Sequence, residues 1–435
     1  MLIRDTALLN PEFQVEEHRD VLVEEGRFFR ISAAGSLEVP CEKEIVNGRN
    51  CLLMPGFYNT HCHVPMTLLR GLGEGLCLSD WLTKKMFPFE ERLTAEDCRF
   101  GALLGCMELM ASGCVSFSDM YFHIQSVAEA AEEAGMKANI SHGLSLRDEE
   151  RSPKELKGWR DTLELIEWTK GRQDGRIQAE VGLHAEYTST ERLVREAAGL
   201  AKERGLRLHT HISETKKEHE ECKLCRQGRT PVQYYRDCGI FDVPVVGAHG
   251  VWLEDEDMEI LREAGATLSH CISSNLKLGS GIAPVSRWLD RGINTVIATD
   301  GAASNNNLNL MEEMHLASLA GKGAFGNPQL LSPEQILKMA TINGARAQGR
   351  LDCGCIKEGN RADFILVDLD RPHLIPRHSL LANLVYSAQS SDIRMTAVDG
   401  KVVYKDGEFL TIDRERVMYE AERRAERICG QLSER

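Results

Sequence analysis

The sequence predicts an α/β protein: a (β/α)8 barrel of the TIM type with a small composite β-sandwich domain formed from both chain termini. Two patterns carry this prediction. Short apolar strands alternate with longer amphipathic stretches through the middle of the chain, and β-rich segments lie at both ends. The chain has 435 residues, 42% hydrophobic and 27% charged, so it is globular and long enough for a barrel and one small domain.

Both ends of the chain carry the signals of antiparallel strands. Residues 21–23 and 28–31 flank a turn at 24–27 that contains Gly, which predicts a hairpin. Near the other end, residues 364–367 predict one strand, and residues 398–404 predict two strands around an Asp-Gly turn.

These end segments are expected to pair with each other. A charged helical stretch begins at Arg414 and follows the last strands. We therefore predict one composite domain from residues 1–55 and 350–435, wrapped around a barrel of residues 56–349.

The central segment has the rhythm of eight β/α units. Its predicted strands are 57–63, 114–120, 137–143, 177–184, 207–212, 245–250, 266–270 and 294–300. Amphipathic stretches between them include 95–111, 126–134, 191–204, 255–264 and 283–291. In such a barrel, functional side chains are expected at the carboxyl ends of the strands.

The charge balance excludes several classes of partner. The formal net charge is −14, whereas binding to nucleic acid or an anionic membrane requires a basic face. Aromatic residues make up only 6%, which argues against stacking platforms. The N-terminus lacks the apolar core of a secretory signal, and we see no uncharged apolar stretch of about 20 residues. We expect no nucleic-acid or membrane partner and a cytoplasmic location.

The 14 cysteines allow a disulfide scaffold, an iron–sulfur protein or a reduced chain. Most lie in apolar runs, where a free thiol packs as a small hydrophobe. Cluster spacing such as C-x2-C-x2-C is absent. The one CxxC, Cys222 to Cys225, lies in a charged segment and predicts a surface helix. A reducing compartment is the favoured interpretation.

Several predicted strands end on metal-binding residue types. These are His61 and His63, His209 and His211, His249, and Asp300. Side chains two apart in a strand point to the same side, so a His-x-His pair can chelate one ion. One such pair is weak evidence, but several strand ends that meet at one rim predict a metal site.

Longer runs around these strand ends are similar to those of a known group of enzymes. Residues 55–63 (PGFYNTHCH) resemble the opening of an amidohydrolase-superfamily barrel. Within the deaminase and chlorohydrolase branch, the similar runs are 66–71 (MTLLRG), 211–215 (HISET), 274–279 (SNLKLG) and 299–306 (TDGAASNN). The whole chain resembles the 5-methylthioadenosine/S-adenosylhomocysteine deaminase family most closely.

The resemblance implies one divalent metal ion, usually zinc, with Fe2+ and Mn2+ as alternatives. The ligands it implies are His61, His63, His211 and Asp300. His209 is not a ligand in the family pattern, and we expect it behind the ligands. The implied catalytic residues are Glu214, His249 and Asp300.

The implied reaction replaces the amino group of an adenine ring by oxygen and releases ammonia. Zinc lowers the pKa of bound water to about 7, which supplies hydroxide without strong base. Glu214 would carry the water proton to ring nitrogen N1, and Asp300 would pass the second proton to the departing ammonia. His249 would orient the water and stabilise the developing charge.

Substrate residues are also implied by the resemblance. Trp81 and Glu90 match positions near the nucleoside, and a carboxylate such as Glu90 can accept hydrogen bonds from both ribose hydroxyls. His184 matches a residue that contacts the purine ring, and Glu214 also meets the ring at N1.

Two positions depart from the family pattern. His142 stands where the family often has an Arg that holds the homocysteine carboxylate, and Arg147 lies nearby in sequence. We expect both to reach the substrate. This departure favours neutral nucleosides (5′-methylthioadenosine, 5′-deoxyadenosine and adenosine) over S-adenosylhomocysteine. Cys271 follows a strand-end His where the family commonly has an Asn-Pro pair, so the pocket wall there is expected to differ.

Alternatives remain open at this point. A related amidohydrolase that acts on a guanine-like base, a pterin or an s-triazine would share the metal site. A non-catalytic binding protein on this fold would be expected to lose ligands, and none is missing. The expected partner is a small-molecule nucleoside, and homo-oligomers are compatible with barrels of this type.

Overall fold

The computed structural model describes residues 1–38, 40, 43–172 and 174–433. The strands are β1 (Leu2–Leu9), β2 (Val15–Glu24), β3 (Arg27–Ala33), β4 (Ile45–Asn47), β5 (Cys51–Pro55), β6 (Phe57–Cys62), β7 (Cys114–Tyr121), β8 (Lys137–His142), β9 (Ile177–Ala179), β10 (Val181–Leu183), β11 (Leu208–Ile212), β12 (Val245–His249), β13 (Thr267–His270), β14 (Asn294–Ile297), β15 (Phe364–Asp368), β16 (Ile393–Val398), β17 (Lys401–Lys405) and β18 (Glu408–Phe409).

The α-helices are α1 (Leu78–Trp81), α2 (Phe87–Glu90), α3 (Ala95–Ala111), α4 (Ile124–Ala134), α5 (Lys157–Lys170), α6 (Glu191–Arg204), α7 (Lys216–Cys225), α8 (Pro231–Asp237), α9 (Asp255–Glu263), α10 (Ile272–Lys277), α11 (Val285–Asp290), α12 (Ala302–Asn305), α13 (Leu310–Phe325), α14 (Pro333–Ala340), α15 (Ile342–Ala347), α16 (Leu380–Tyr386) and α17 (Arg414–Ser433). Within the described ranges, no helix is long and apolar enough to cross a membrane.

Strands β6 to β14 form the predicted barrel. They are parallel neighbours in two hydrogen-bonded groups, β6-β7-β8-β9 and β10-β11-β12-β13-β14. The fourth predicted strand, 177–184, is divided at Glu180: its first half pairs with β8 and its second half with β11. The ring closes where the Asp300 amide donates to the His61 carbonyl at 3.1 Å. The eight predicted strands are confirmed.

Local sequence explains where the barrel helices begin. The Thr94 side chain accepts from the Asp97 amide, and the Asp97 carboxylate accepts from the Thr94 amide, so a capping box starts α3 at the predicted residue. At the start of α6 the Thr190 hydroxyl accepts from the Leu193 amide, and Gly205 ends that helix with φ 64°. Both helices have the predicted bounds, whereas α4 begins two residues earlier than predicted, at Ile124.

Strands from both chain ends form one nine-stranded sheet. Its order is β18-β17-β16-β15-β5-β1-β2-β3, with β4 beside β1. The hairpin of β2 and β3 and the turn between β16 and β17 occur as predicted. The first of these turns lies against the second, because Ala362 donates to the Gly26 carbonyl and Gly400 donates to the Ala362 carbonyl. The sheet therefore curls back on itself.

The sheet buries both of its faces. Side chains alternate along its two central strands. One set, Cys51, Leu53, Phe364 and Leu366, lies in the core of the sheet itself. The other set, Leu52, Met54, Ile365 and Val367, belongs to the large core that the barrel and its helices share. The composite sheet is thereby packed on the barrel along a continuous apolar surface.

A buried ion cluster also joins the barrel to the sheet. Lys137, which is 3% exposed at the start of β8, donates to the Asp363 carboxylate and to Asp399 Oδ1 at 2.8 Å. The Tyr58 hydroxyl donates to Asp363 Oδ2 at 2.8 Å. The Lys137 ammonium and these hydrogen bonds hold the pKa of Asp363 below its ordinary value despite burial, which alone would raise it.

We predict that Lys137→Ala lowers the apparent free energy of unfolding by about 3–5 kcal/mol, because it leaves the Asp363 carboxylate buried without its counter-ion. Urea titration followed by circular dichroism measures the change. The control is Lys84→Ala, which removes a lysine from an exposed pair with Asp80 and should leave stability nearly unchanged. An equal, small effect of both substitutions would contradict the prediction.

Candidate metal centre and active site

The barrel brings the predicted ligands to one place. His61 lies on β6 and His63 just after it, His211 lies on β11, and Asp300 follows β14. Ligand atoms of His61, His63 and His211 lie within 4.8 Å of one another, and so do those of His61, His249 and Asp300. Both groups share His61, which is fully buried. These side chains could therefore hold one metal ion between them.

Hydrogen bonds orient three of the imidazoles. In each, Nδ1 bonds an acceptor oxygen and carries a proton, so the neutral form of the imidazole has its lone pair on Nε2, where a metal or substrate can meet it. The bonds are His63 Nδ1 to Met120 O (2.5 Å), His211 Nδ1 to His184 O (2.5 Å) and His249 Nδ1 to Asn275 Oδ1 (2.9 Å).

The carboxylate of Asp300 fits a cation at this point. Its Oδ2 accepts from the hydroxyls of Ser274 at 2.6 Å and Ser304 at 2.8 Å. Its Oδ1 faces Nε2 of His61 at 3.3 Å and Nε2 of His63 at 3.2 Å. Among the described residues, Asp300 Oδ1 and His61 Nε2 are buried with no hydrogen-bond partner. A divalent ion would satisfy both atoms.

Burial and charge set the protonation of this cluster. Burial lowers the pKa of His61 to about 4 and holds that of His211 well below its ordinary value. Burial also lowers the pKa of His63, but the negative charge of the adjacent Asp300 carboxylate outweighs this and raises it to about 9. A metal must therefore displace a proton from His63, and its affinity should fall as pH falls.

Glu214 lies beside the cluster, two residues after β11. Its Oε1 accepts from the Ser280 hydroxyl at 3.2 Å, and its Oε2 lies 3.9 Å from His249 Nε2. The Glu218 carboxylate accepts from the Glu214 amide at 2.7 Å and from the Ser213 amide at 3.0 Å, which fixes the loop. Burial raises the pKa of Glu214, so it can exchange a proton closer to neutral pH.

Three strand-end residues here have left-handed backbones. Their φ angles are 47° for Ser213, 75° for His249 and 61° for Asp300. Non-glycine residues rarely take this conformation, and such strain concentrates at functional sites.

The cluster opens into a cavity of about 670 Å³, a volume that includes the open space at its mouth. Of the predicted substrate residues, the wall contains Trp81, Glu90, His184 and Glu214. Glu90 lies at the end of α2, where burial raises its pKa to about 6 against the opposing effect of the nearby Tyr121 hydroxyl. His184 Nδ1 bonds the Thr188 hydroxyl at 3.0 Å.

His142 does not line this cavity, contrary to what its predicted substrate role requires. It lies on the outer face of β8 with Ala138 and Ile140, which pack in the core. A side chain on Gly158 of α5 would lie 2.5 Å from the His142 ring, so this glycine leaves space for the ring. Strand alternation therefore turns His142 towards the helices.

Arg147 lies farther out, in the wall of a second cavity that adjoins the first. The residues that line both cavities are Leu78, Leu82, Phe87, Tyr187 and Leu278. Arg147 is exposed, and Lys216 and Lys217 lie in the same outer wall. The predicted basic side chain is thus near the mouth and not beside the metal cluster.

Two cysteines near the cluster lie away from the cavity. Cys62, between two candidate ligands, donates from Sγ to the Ser118 carbonyl at 3.2 Å on the core side, as alternation predicts. Cys271 is fully buried and is not among the cavity-lining residues. In the predicted CxxC helix, α7, Cys225 is exposed but Cys222 is buried.

Several functional side chains were not identified from the sequence. Tyr121 lines the cavity beside Glu90, and Ser280 bonds Glu214. Ser274, Asn275 and Ser304 lie inside the quoted runs, so the runs themselves were the available signal. Nothing in the local sequence marked Tyr121.

A model of the amidohydrolase family matches residues 52–403. The chain belongs to the amidohydrolase family. The 5-methylthioadenosine/S-adenosylhomocysteine deaminase of Caldanaerobacter subterraneus is 44% identical over 391 residues, 89% of this chain and 90% of that protein. The 5′-deoxyadenosine deaminase of Methanosarcina mazei is 41% identical, over 95% of this chain and 94% of that protein.

A solved structure agrees with these relatives. An adenosine deaminase from Xanthomonas campestris with bound zinc superposes with a TM-score of 0.93 at 27% identity, over 99% of this chain and 98% of the other. The predicted family and fold class are thereby confirmed.

We predict that zinc at a hundredfold excess over its dissociation constant raises the free energy of unfolding of this protein by about 2.7 kcal/mol. Asp300→Asn should lose most of this gain, because an amide replaces the only carboxylate in the ligand set. Thermal melts with and without zinc measure it, and the gain should shrink as pH falls, because His63 then keeps its proton.

The matched control is His270→Gln, which alters a buried strand-end histidine outside the converging groups. It should keep the zinc-induced gain relative to its own metal-free form. A full gain in Asp300→Asn would exclude Asp300 as a ligand.

Proposed function

We propose that this protein is a zinc-dependent aminohydrolase that converts the adenine ring of an adenosine derivative to the hypoxanthine ring and releases ammonia. The observation that carries the proposal is the convergence of Glu214, His249 and Asp300 on one cavity that also contains Glu90 and Trp81. The names of the relatives support the same substrate class.

The ion is held by His61, His63, His211 and Asp300 in this proposal. Zinc fits three neutral imidazoles and one carboxylate, and the zinc-bound adenosine deaminase structure supports that choice over Fe2+ or Mn2+. When bound, the metal supplies Lewis acidity that activates water as the nucleophile.

Side chains of this protein move the protons. Glu214 takes the first proton of the attacking water and gives it to N1 of the ring, which makes C6 electrophilic. Its raised pKa suits it to both tasks. The Asp300 carboxylate, which also helps to hold the ion, takes the second proton and passes it to the departing ammonia. His249 Nε2, 3.9 Å from Glu214 Oε2, accepts a hydrogen bond from the attacking water and orients it.

The cavity wall favours a nucleoside with a small, uncharged 5′ group. Glu90 accepts hydrogen bonds from the ribose hydroxyls, while His184 and Trp81 contact the base. The boundary with the outer cavity contains the apolar side chains Leu78 and Phe87. Those apolar walls suit a methyl or methylthio group better than a zwitterion.

We infer a cytoplasmic location. Nine cysteines in the described part of the chain are buried as free thiols, which suits a reducing compartment. Homo-oligomer formation stays a prediction.

Glu214→Gln should retain zinc but lower kcat on the preferred adenosine derivative by at least about a hundredfold, because the amide cannot carry the proton. An ammonia-release assay and metal analysis measure the two quantities. Glu220→Gln, an exposed acid on the next helix, should keep the wild-type rate.

The panel for this assay contains adenosine, 5′-deoxyadenosine, 5′-methylthioadenosine, S-adenosylhomocysteine, adenine, guanine, a pterin and an s-triazine. We expect ammonia from the nucleosides and little from the free bases. No ammonia from any adenosine derivative would overturn the proposal, and release from guanine, pterin or triazine alone would favour that substrate class instead.

Glu90→Gln should erase the preference for adenosine over 2′,3′-dideoxyadenosine, which we expect to be about 10–100-fold in kcat/KM for charge-assisted hydrogen bonds to both hydroxyls. In the wild type, KM for adenosine should fall as pH rises through about 6, where the Glu90 carboxylate becomes ionised. An unchanged preference in the variant would remove Glu90 from the ribose site.

A further inference from the structure

A buried polar chain runs from the interior of the barrel up to the candidate metal site. At its lower end, Arg350 Nη2 donates to Asn139 Oδ1 at 2.9 Å, and Asn139 Nδ2 donates to Glu180 Oε1 at 2.7 Å. At its upper end, His209 Nε2 bonds His61 Nδ1 at 2.8 Å. Each of these five residues is at least 95% buried.

The series of hydrogen bonds is interrupted between two atoms that have no other partner. His209 Nδ1 and Glu180 Oε2 face each other at 3.8 Å. Neither forms a hydrogen bond with any residue in the described ranges, although both are buried. A shift of about 0.8 Å would bring them to ordinary hydrogen-bond length. Glu180 lies between β9 and β10, and its neighbours Ala179 and Val181 lie in the core shared with the helices, so the Glu180 side chain is turned to the barrel interior.

The position of each proton fixes the direction of the hydrogen bonds in this buried polar chain. His61 can bind a metal through Nε2 only if its proton is on Nδ1. His61 Nδ1 must then donate to His209 Nε2, which has to be unprotonated. The single proton of neutral His209 is therefore on Nδ1, and it points at Glu180. The opposite tautomer of His209 would donate to His61 and place the His61 proton on the ligating nitrogen.

The charge around Glu180 favours its role as an acceptor. Burial raises the pKa of Glu180, while the Asn139 hydrogen bond and the positive charges of Arg207 and Arg350 oppose that rise. The other two histidine ligands, His63 and His211, need no further residue to set their tautomers. Their Nδ1 atoms bond carbonyl oxygens, which can only accept. His61 alone meets a second imidazole, whose own tautomer has to be set.

We propose that Glu180 is a positioning residue for the metal centre: it accepts the Nδ1 proton of His209 and thereby makes His209 the acceptor that orients His61 for metal binding. This inference rests on the proposed ligand set. It goes beyond it because Glu180 and His209 touch neither the substrate nor the ion.

The decisive experiment measures zinc affinity by competition with a chromophoric chelator, using the full chain stripped of metal and reloaded. Glu180→Gln keeps size and the Asn139 contact but offers an NH2 group to His209, which favours the wrong tautomer. We expect a weakening of zinc affinity of about 10–100-fold. Glu186→Gln is the matched control: another buried acid from the same part of the fourth β/α unit, outside the polar chain, which should keep the wild-type affinity.

A double-mutant cycle separates this role from a merely structural one. In His209→Gln, the side-chain carbonyl can accept from His61 without any tautomer to choose. In that background, adding Glu180→Gln should change zinc affinity by less than about twofold. An equal loss in both backgrounds would show that Glu180 acts by another route and would overturn the proposal. Unchanged affinity in the single Glu180→Gln variant would overturn it as well.

Direct observation of the His209 tautomer uses the wild-type protein, so the result does not depend on whether a variant folds. In metal-loaded wild-type protein labelled with 15N-histidine, the side-chain NMR pattern of His209 should show the proton on Nδ1. The other tautomer would overturn the proposal. The proposed function fails separately: a wild type that binds zinc but releases no ammonia would refute the deaminase activity and leave the role of Glu180 standing.

Discussion

The buried carboxylate of Asp300 is the constraint on which the upper end of the barrel depends. A charge at that depth is costly unless positive charge or hydrogen bonds surround it. Two serine hydroxyls satisfy one oxygen, and two histidines face the other. The Asp300 amide also closes the barrel by donating to the His61 carbonyl. Barrel closure and the assembly of the ligand cluster are therefore one structural event.

A second buried charge, that of Asp363 at the opposite end of the barrel, holds the composite sheet against the barrel. Lys137 stands at the start of β8 and compensates Asp363 from the sheet, while apolar side chains of β5 and β15 complete the contact. The sheet contributes no residue to the cavity wall. Its role in the described structure is to cover the lower apolar surface of the barrel, which leaves the upper rim for chemistry, as in other barrels of this type.

The alternation of side chains along a strand explains why the predictions for His61, His63 and Cys62 agree with the structure and why the one for His142 does not. His61 and His63 are two apart and meet the same ion site, and Cys62 between them faces the core. The same rule applied to β8 would have placed His142 with Ala138 and Ile140, away from the cavity. The match of His142 to a family Arg position obscured this. Residues whose placement depends on tertiary packing, such as Tyr121, leave no local periodic signal.

Glu180 shows a different limit of sequence reasoning. The strand 177–184 changes its partner at Glu180, from β8 to β11, but its alternation continues, since Ile177, Ala179, Val181 and Leu183 all lie in the core shared with the helices. Alternation therefore turns the Glu180 carboxylate to the barrel interior, but the polar groups that it meets there come from other strands and from Arg350. A buried acid is expensive and has to be compensated, here by Asn139 and two arginines. The cost of burying Glu180 is explained if its carboxylate directs one proton on His209. His209 contacts His61, and His61 belongs to both groups of side chains able to hold the metal.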